Sequence, residues 1–105
     1  MFARVSTFQG APDRIDEVTQ VIRDRIVPAV HEIGGKGIIN CVDRTSGRAL
    51  TITLWDSEEA LRSSEERANE LRSESADNLG AEVVGVDRYE VTVFEVPAGM
   101  PAGAR

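Results

Sequence analysis

The sequence predicts an α+β fold built on one antiparallel sheet, and three observations support this. The chain has 105 residues, which fits a single domain. Segments rich in β-branched residues alternate with longer segments of helical periodicity, in the order strand, helix, strand, strand, helix, strand. A short turn joins the two middle strands as a hairpin. Two β-α-β units in tandem are typical of the ferredoxin-like layout, in which both helices cover one face of the sheet.

The first β-α unit begins with a short strand and continues into a long helix. "FARVSTF" carries β-branched and aromatic residues in quick succession, which indicates a strand. A helix then begins near Asp13. Pro28 lies within it, and because proline lacks an N–H we expect it to kink the helix or to end it early. Apolar residues recur at three- and four-residue steps and predict one buried stripe: Ile15, Val18, Ile22, Ile26, Val30 and Ile33.

The middle of the chain predicts a hairpin followed by a second helix. "KGIINCV" and "ALTITLW" read as strands, and "DRTSGR" between them supplies turn residues. Cys41, the single cysteine, falls in the first of these strands, and we expect it to be a small buried hydrophobe. The second strand ends at Trp55, and Asp56 or Ser57 caps the helix that follows.

The last strand candidate is unusually long. The segment from Glu82 to Val96 would span about 50 Å if fully extended, about twice the length of the other strands. We therefore expect a bend at Gly85 or in the segment 87–89, or an end that leaves the subunit. Residues 1–96 are predicted to form the single domain, and the Pro/Gly/Ala-rich residues 97–105 a flexible tail.

The second face of the predicted sheet needs a cover. In the third strand Leu50, Ile52 and Leu54 alternate with Thr51, Thr53 and Trp55, so neither side is properly polar. A sheet with one face in water normally alternates cleanly between apolar and polar residues. Burial against a second copy is the simplest solution, and we predict a homodimer, closed as a dimeric α/β barrel.

Composition excludes several classes of partner. The chain has 18 acidic and 12 basic side chains and a formal net charge of −6, which argues against nucleic acid and anionic lipid. An apolar run long enough to span a membrane and a secretory signal pattern are both missing, so we expect a cytoplasmic protein. One histidine and one cysteine cannot make a zinc site, and no metal is expected.

"LTITLWDSEEALRSS" resembles a strand–Trp–acid–Ser–Glu–x–Ala junction found in the dimeric α/β-barrel proteins of the antibiotic-biosynthesis-monooxygenase type. The order of elements is similar over about residues 2–96. This resemblance implies a pocket between the sheet and its own helices. Characterised members oxidise aromatic polyketides with molecular oxygen and no metal or flavin cofactor. Stress-responsive barrel proteins share the architecture without a demonstrated oxygenase role, so the fold alone does not decide the function.

The resemblance also implies site residues. In the characterised enzymes a strand-end Trp, a nearby Asn, an Arg on the second helix and tyrosines line the pocket. Trp55 and Arg72 match the Trp and the Arg and are the catalytic candidates. Thr51 stands at the Asn position, while Leu61 and Cys41 stand at two Tyr positions. Haem-degrading relatives use an Asn in strand one and a His on helix two; this chain has neither, so haem degradation is not expected.

Four residues are the candidates for contact with a substrate: Asn40, Thr51, Tyr89 and His31. Asn40 projects to one face of the sheet, Tyr89 offers a hydroxyl, and His31 is the side chain that titrates near neutral pH without help. His31 also suits an exposed helix end, where a cation is favoured by the helix dipole.

Structural roles remain open for the other candidates. Trp55 also suits a large apolar plug where the sheet meets the second helix. Arg72 also suits a surface pair with Glu70 or Glu74. Arg88 lies in the middle of the last strand, and we expect it to pair with Glu90 or across the dimer, the latter being favoured.

The sequence thus predicts a cofactor-independent monooxygenase acting on a small aromatic or polyketide-like substrate. The alternative is a non-catalytic or stress-related barrel that binds a small hydrophobic ligand. A third option is a dimerisation module with a filled core. An open pocket in which Trp55, Asn40 and Arg72 converge would favour chemistry over the third option.

Overall fold

The computed structural model describes residues 1–98 and has the predicted α+β, ferredoxin-like architecture. Its sheet has the order β2-β3-β1-β4, and all neighbouring strands are antiparallel. The strands are β1 (Phe2–Gln9), β2 (Gly37–Val42), β3 (Arg48–Trp55) and β4 (Glu82–Glu90). The helices are α1 (Ile15–Val21), α2 (Val27–Glu32), α3 (Glu58–Ser63) and α4 (Glu65–Leu79). Within this described part, none of the helices has the length and apolar content that a membrane span requires.

A π-helical turn joins α1 to α2 and accommodates the proline of the first helical segment. The turn covers Ile22–Ile26, and Pro28 follows in the first turn of α2. Proline lacks the N–H that would continue the helical ladder, and it stands directly after the turn in which that ladder is already widened. The helical run therefore continues to Glu32 instead of ending early, and the predicted irregularity takes the form of a widened turn.

The second helical segment begins as predicted but is divided in two. The Ser57 hydroxyl accepts a hydrogen bond from the Ala60 backbone N–H at 3.0 Å, which caps α3. The helix is interrupted at Ser64, where the sequence predicted one continuous helix. The hydroxyl of Ser64 and the guanidinium of Arg4 both donate to the carbonyl of Leu61, an acceptor that the next helical turn normally uses.

The last strand is shorter than the segment predicted for it. β4 pairs Gly85 with Thr7 but Val83 with Phe8, so one extra residue forms a β-bulge beside Gly85. The strand ends at Glu90, and residues 91–97 have no regular secondary structure. The irregularity beside Gly85 lies at one of the two places where a bend was predicted, and the alternative, an end that leaves the subunit, stays a prediction. Residues 99–105 of the predicted tail lie outside the described residues, and the domain boundary at residue 96 stays a prediction.

Strand alternation sorts the sheet residues into two sets, and the two helical layers cover one of them. The helix-facing side is largely polar, and we use this name for Arg4, Ser6, Phe8, Asn40, Val42, Ala49, Thr51, Thr53 and Trp55. The opposite set is largely apolar apart from Thr7 and Asp87, and we call it the open face: Ala3, Val5, Thr7, Gly37, Ile39, Cys41, Leu50, Ile52, Leu54, Asp87 and Tyr89.

The open face is only partly shielded within one chain. Val5, Leu50 and Ile52 at its centre are half-buried, whereas Ile39 is 43% exposed. Cys41 is exposed as well, so the expectation of a buried cysteine is wrong for the single chain. The reason is its position, because β2 is an edge strand and Cys41 points away from the helices.

Candidate functional site

A cavity of about 110 Å³ lies between the helix-facing side of the sheet and the helices. This volume is several times what one buried water needs. The helical wall of the cavity is mainly apolar. It includes all six residues of the stripe that the sequence predicted, which are Ile15, Val18, Ile22, Ile26, Val30 and Ile33. Part of the stripe therefore faces an open space that a small molecule can enter.

The sheet wall of the cavity is polar, and its side chains stand in register across three strands. Asn40, Thr51 and Ser6 form one row, with Thr51 between the other two. The Thr51 hydroxyl donates to Asn40 Oδ1 at 2.9 Å. The amide nitrogen of Asn40 has no acceptor among residues 1–98, so it remains available to a bound molecule.

Trp55 closes the cavity where β3 ends. The side chain is 1% exposed, and its Nε1–H donates to Thr53 Oγ1 at 3.0 Å. The guanidinium carbon of Arg4 lies 5.2 Å from the centroid of the ring, within the range of a cation–π contact. Trp55 is thus both a core residue and a wall of the cavity. Its N–H is bonded within the strand.

Arg4 is the cavity residue that sequence reasoning missed. It is 2% exposed, and its Nη2 donates to Leu61 O at 2.7 Å, to Ser64 Oγ at 3.0 Å and to Glu65 Oε2 at 3.0 Å. Its Nε and Nη1 have no hydrogen-bond partner in the described part of the chain. The sequence did contain a sign of this role. Arg4 is a charged residue inside a strand, and the sheet was expected to be covered on both faces.

Arg72 reaches the cavity from α4 and carries no carboxylate partner. The side chain is 8% exposed, with Nη1 3.4 Å from Ser6 Oγ and Nη2 3.4 Å from Asn69 Oδ1, both long for hydrogen bonds. Among residues 1–98, Arg72 forms no ion pair, so it does not pair with Glu70 or Glu74. Burial, and secondly repulsion from Arg4, lower the pKa of Arg72 from its ordinary value. A guanidinium stays charged under such conditions.

Glu65 links Arg4, which lines the cavity, to the neighbouring strand β4. It pairs with Arg88 on one side and with Arg4 on the other. Hydrogen bonding from Arg88, and after it from Arg4, lowers the pKa of Glu65 to about 2. Arg88 lies opposite Arg4 in the sheet register. Its partner is therefore within the same chain, and the prediction that it pairs with Glu90 or across a dimer is corrected.

Two of the predicted contact residues lie away from the cavity. Tyr89 is on the open face and is 56% exposed. His31 is exposed near the end of α2, and it is absent from the cavity wall. Asn40, Thr51, Trp55 and Arg72, in contrast, all line the cavity. The catalytic and binding roles of the six residues stay predictions.

The charge of the cavity wall is opposite to that of the whole chain. Arg4, Arg14 and Arg72 contribute to the wall, whereas the described lining contains no Asp, Glu, His or Cys. No cluster of three such residues that could hold a metal ion occurs anywhere in residues 1–98. The wall thus presents hydrogen-bond donors and positive charge beside an apolar surface. Such a site suits a largely apolar molecule that carries oxygen acceptors.

Several solved structures have a similar fold. A putative antibiotic biosynthesis monooxygenase from Deinococcus radiodurans is 16% identical, with a TM-score of 0.68 over 94% of this chain and 100% of that one. A monooxygenase from the gene ActVA-Orf6 of Streptomyces coelicolor, in complex with nanaomycin D, is 18% identical, with a TM-score of 0.67 over 92% of each chain. A dimeric ferredoxin-like protein from an uncultured marine organism is 10% identical, with a TM-score of 0.67 over 92% of this chain and 100% of that one.

Curated relatives at the sequence level are uncharacterized. One protein of Mycobacterium tuberculosis is 36% identical over 77 residues, which is 72% of this chain and 33% of that protein. A second is 30% identical over 95 residues, which is 90% of this chain and 42% of that protein. The chain therefore spans only a third to two fifths of the length of these relatives. No protein-family model matches the sequence. At the level of the fold, the chain is similar to ferredoxin-like proteins of the antibiotic-biosynthesis-monooxygenase type, the resemblance that its strand–Trp–helix junction predicted.

Proposed function

We propose that the cavity binds a small aromatic molecule and that the protein oxidises it with molecular oxygen, without a cofactor. One observation carries this proposal: the guanidinium of Arg72, free of any carboxylate in the described chain, faces an apolar cavity closed by Trp55. The monooxygenases that share the fold support it, and the crystal structure of one of them contains the ligand nanaomycin D.

In this proposal the chain acts through binding and electrostatics. The helical wall excludes water from the ring of the substrate, and Trp55 packs against it. Arg72 stabilises negative charge on a substrate phenolate or enolate oxygen, which favours the ionised substrate. The ionised ring gives an electron to oxygen, and the two radicals combine as a carbon-bound peroxide. Loss of water from the peroxide converts a ring CH₂ into C=O, so that one O₂ yields one ketone and one water.

Oxygen uptake with anthrone in the presence of a metal chelator tests the proposal. We expect the wild-type protein to consume one O₂ per anthraquinone formed, with one ¹⁸O atom from labelled oxygen in the product. Arg72→Ala and Trp55→Phe are expected to lower the rate, whereas Arg62→Ala, on the exposed side of α3, is the matched arginine control. Uptake no faster than in buffer would refute oxidation of this substrate class.

A second candidate is a barrel that binds a similar molecule without reacting. The observation in its favour is that the described lining offers no carboxylate, imidazole or thiol to take a proton from the substrate. Anthrone that binds in calorimetry but consumes no oxygen would select this alternative. In that case Arg72→Ala is expected to weaken binding alone.

We also propose that the functional unit is a homodimer that buries the open face. Val5, Leu50 and Ile52 form an aliphatic strip across two adjacent central strands, with Ile39 exposed beside it. Past the end of β4, Phe94 is 55% exposed and can extend the contact. A dimeric protein of the same fold supports the assembly. Sedimentation equilibrium is expected to give twice the chain mass of 11.4 kDa, and a folded particle of the single mass would refute the dimer.

A further inference from the structure

Arg4 has buried hydrogen-bonding capacity that the fold does not use. Three acceptors from α3, the break after it and the first turn of α4 all converge on one nitrogen, Nη2. Nε and Nη1 are buried and have no acceptor in the described part of the chain. A buried donor left without a partner destabilises the folded state, and more so when it is charged. The contacts that Arg4 makes within the fold therefore use only one of its three side-chain nitrogens.

The unused nitrogens belong to a residue that lines the cavity, next to a second buried arginine. Arg72 approaches Ser6, which lies two residues from Arg4 on the same side of β1. The two guanidinium groups are close enough for Arg4 to oppose the charge of Arg72. The carboxylate of Glu65 contacts Arg4 only at Nη2, and it forms a second ion pair with Arg88. The cavity side of this pair thus has a surplus of positive charge.

We propose that Arg4, Arg72 and Ser6 form an oxyanion subsite, and that the ligand is a small aromatic molecule that enters the cavity already carrying one carboxylate or phenolate group. This inference rests on the proposed aromatic ligand of the cavity. The oxyanion accepts hydrogen bonds from the free nitrogens of Arg4 and from Arg72, while the ring lies towards the apolar helical wall. Arg4 thereby becomes a specificity-determining residue, since a neutral ring would leave its donors unpaired.

Calorimetry with matched probes tests the charge requirement on the wild-type protein. 2-Naphthoate and methyl 2-naphthoate share one ring and differ in the negative charge. We expect the acid to bind at least about tenfold more tightly than the ester, because a hydrogen bond to a charged group contributes about 1.5–3 kcal/mol. 4-Nitrophenol provides the phenolate arm, since its visible absorbance reports ionisation directly, and excess protein is expected to lower its pKa.

Variants assign the subsite to its residues. Arg4→Gln and Arg72→Gln are each expected to weaken 2-naphthoate binding about 10- to 100-fold while leaving the ester within about twofold. Arg62→Gln removes the same charge from the exposed side of α3 and is expected to change neither. Arg4→Gln also removes a contact that joins β1 to α3, and it is therefore compared only if its melting curve is cooperative.

The arginine Nε–H signals in a ¹H–¹⁵N spectrum test Arg4 without any substitution. The Arg4 signal is identified by its proximity to the Trp55 ring. We expect it to shift on saturation with 2-naphthoate and to stay in place with the methyl ester. A shift with naphthoate but no effect on nitrophenol would identify a carboxylate site, and the reverse would identify a phenolate site.

Two results would overturn the subsite. Equal affinity for the acid and the ester would remove it while leaving an aromatic-binding cavity intact. An Arg4 signal that does not move under saturating 2-naphthoate would remove Arg4 from it. Absence of binding by the acid, the ester and anthrone would instead refute the proposed function itself, and the subsite with it.

Discussion

The two faces of the sheet are built in the opposite sense from an ordinary α/β layer. The side that the helices cover carries Arg4, Ser6, Asn40 and Thr51, whereas the face without a helical cover is mainly aliphatic. In an antiparallel sheet with one face in water, the apolar face is the one that packs on the core. Here the helices enclose the polar side chains of the sheet, whereas aliphatic side chains such as Val5, Leu50 and Ile52 are only half-buried on the other face.

This inversion separates ligand binding, on the helix-facing side, from stabilisation by apolar burial on the open face. The helix-facing side surrounds a cavity, and its donors are useful only if a molecule inside accepts them. Residues around the cavity supply much of the tight packing of the single chain, among them Trp55, Leu79 and Ile15. The open face is left to contribute stability through association.

The largest expected effect comes from placing a charge at the centre of the open face. Ile52 is half-buried there and lies in register between Val5 and Ile39. We expect Ile52→Lys to abolish the proposed dimer, because an ammonium group buried in an aliphatic contact would be unpaired. Sedimentation should then show the single-chain mass of 11.4 kDa, or an unfolded chain if the monomer cannot persist alone.

Thr45→Lys adds the same charge in the exposed turn between β2 and β3 and is the matched control. It is expected to leave the sedimentation behaviour unchanged. An Ile52→Lys protein that keeps the wild-type mass and melting temperature would show that the open face is not an interface.

The sequence was sufficient for the order of elements and for the membership of the two faces, but not for which face the helices cover. Period-two alternation separates Leu50, Ile52 and Leu54 from Thr51 and Thr53 without reference to any other element. Assigning the helices to the threonine side depends on how the crossovers pack, which is a property of the tertiary structure. Hydrophobicity alone would have favoured the leucine side.

The same limit explains which residues of the cavity wall could be identified from the sequence and which could not. Trp55 stood out because it ends a strand in a junction that resembles known proteins, and Arg72 because the same resemblance implies an arginine on the second helix. Arg4 did not, because its partner Leu61 is 57 residues away in sequence and meets it only in the folded chain. Tyr89 was misplaced because its face of β4 depends on the bulge and register of the strand.

A smaller effect is expected within the polar rows of the helix-facing side. Thr51→Val removes the hydroxyl that donates to Asn40 and leaves an amide oxygen unpaired, which should cost about 1 kcal/mol in the free energy of unfolding. The double variant Thr51→Val with Asn40→Leu removes both partners. We expect it to be as stable as the wild type within about 0.5 kcal/mol, because apolar replacements on both sides of a hydrogen bond can be neutral.

Urea unfolding measures both variants, and calorimetry with 2-naphthoate shows whether ligand binding is lost while stability is kept. A double variant less stable than Thr51→Val alone would mean that these polar rows stabilise the fold. The polar side chains beneath the helices would then be explained by stability, without a ligand.

The smallest effect concerns Glu65, which balances the charge at the Arg4 end of the cavity. Its folded-state pKa of about 2 lies below its ordinary value of 4.5, so its stabilising contribution is complete above pH 4.5 and is lost as the pH falls towards 2. Glu65→Gln should therefore be less stable than the wild type at pH 7, by a difference that shrinks through this window. The effect is modest because the side chain is about a third exposed and its pairs are screened by water.

Urea unfolding of the wild type and Glu65→Gln at several values between pH 7 and pH 2.5 measures this difference. Arg88→Gln is the informative companion, because it removes the contact that lowers the pKa of Glu65 most while leaving Arg4 in place. In that background the loss of stability should still begin near the ordinary value of 4.5 but be complete at a higher pH than in the wild type, so that it spans a narrower range. A stability difference that stays constant with pH would show that Glu65 does not hold its charge between the two arginines, and that the positive charge facing the cavity is balanced in some other way.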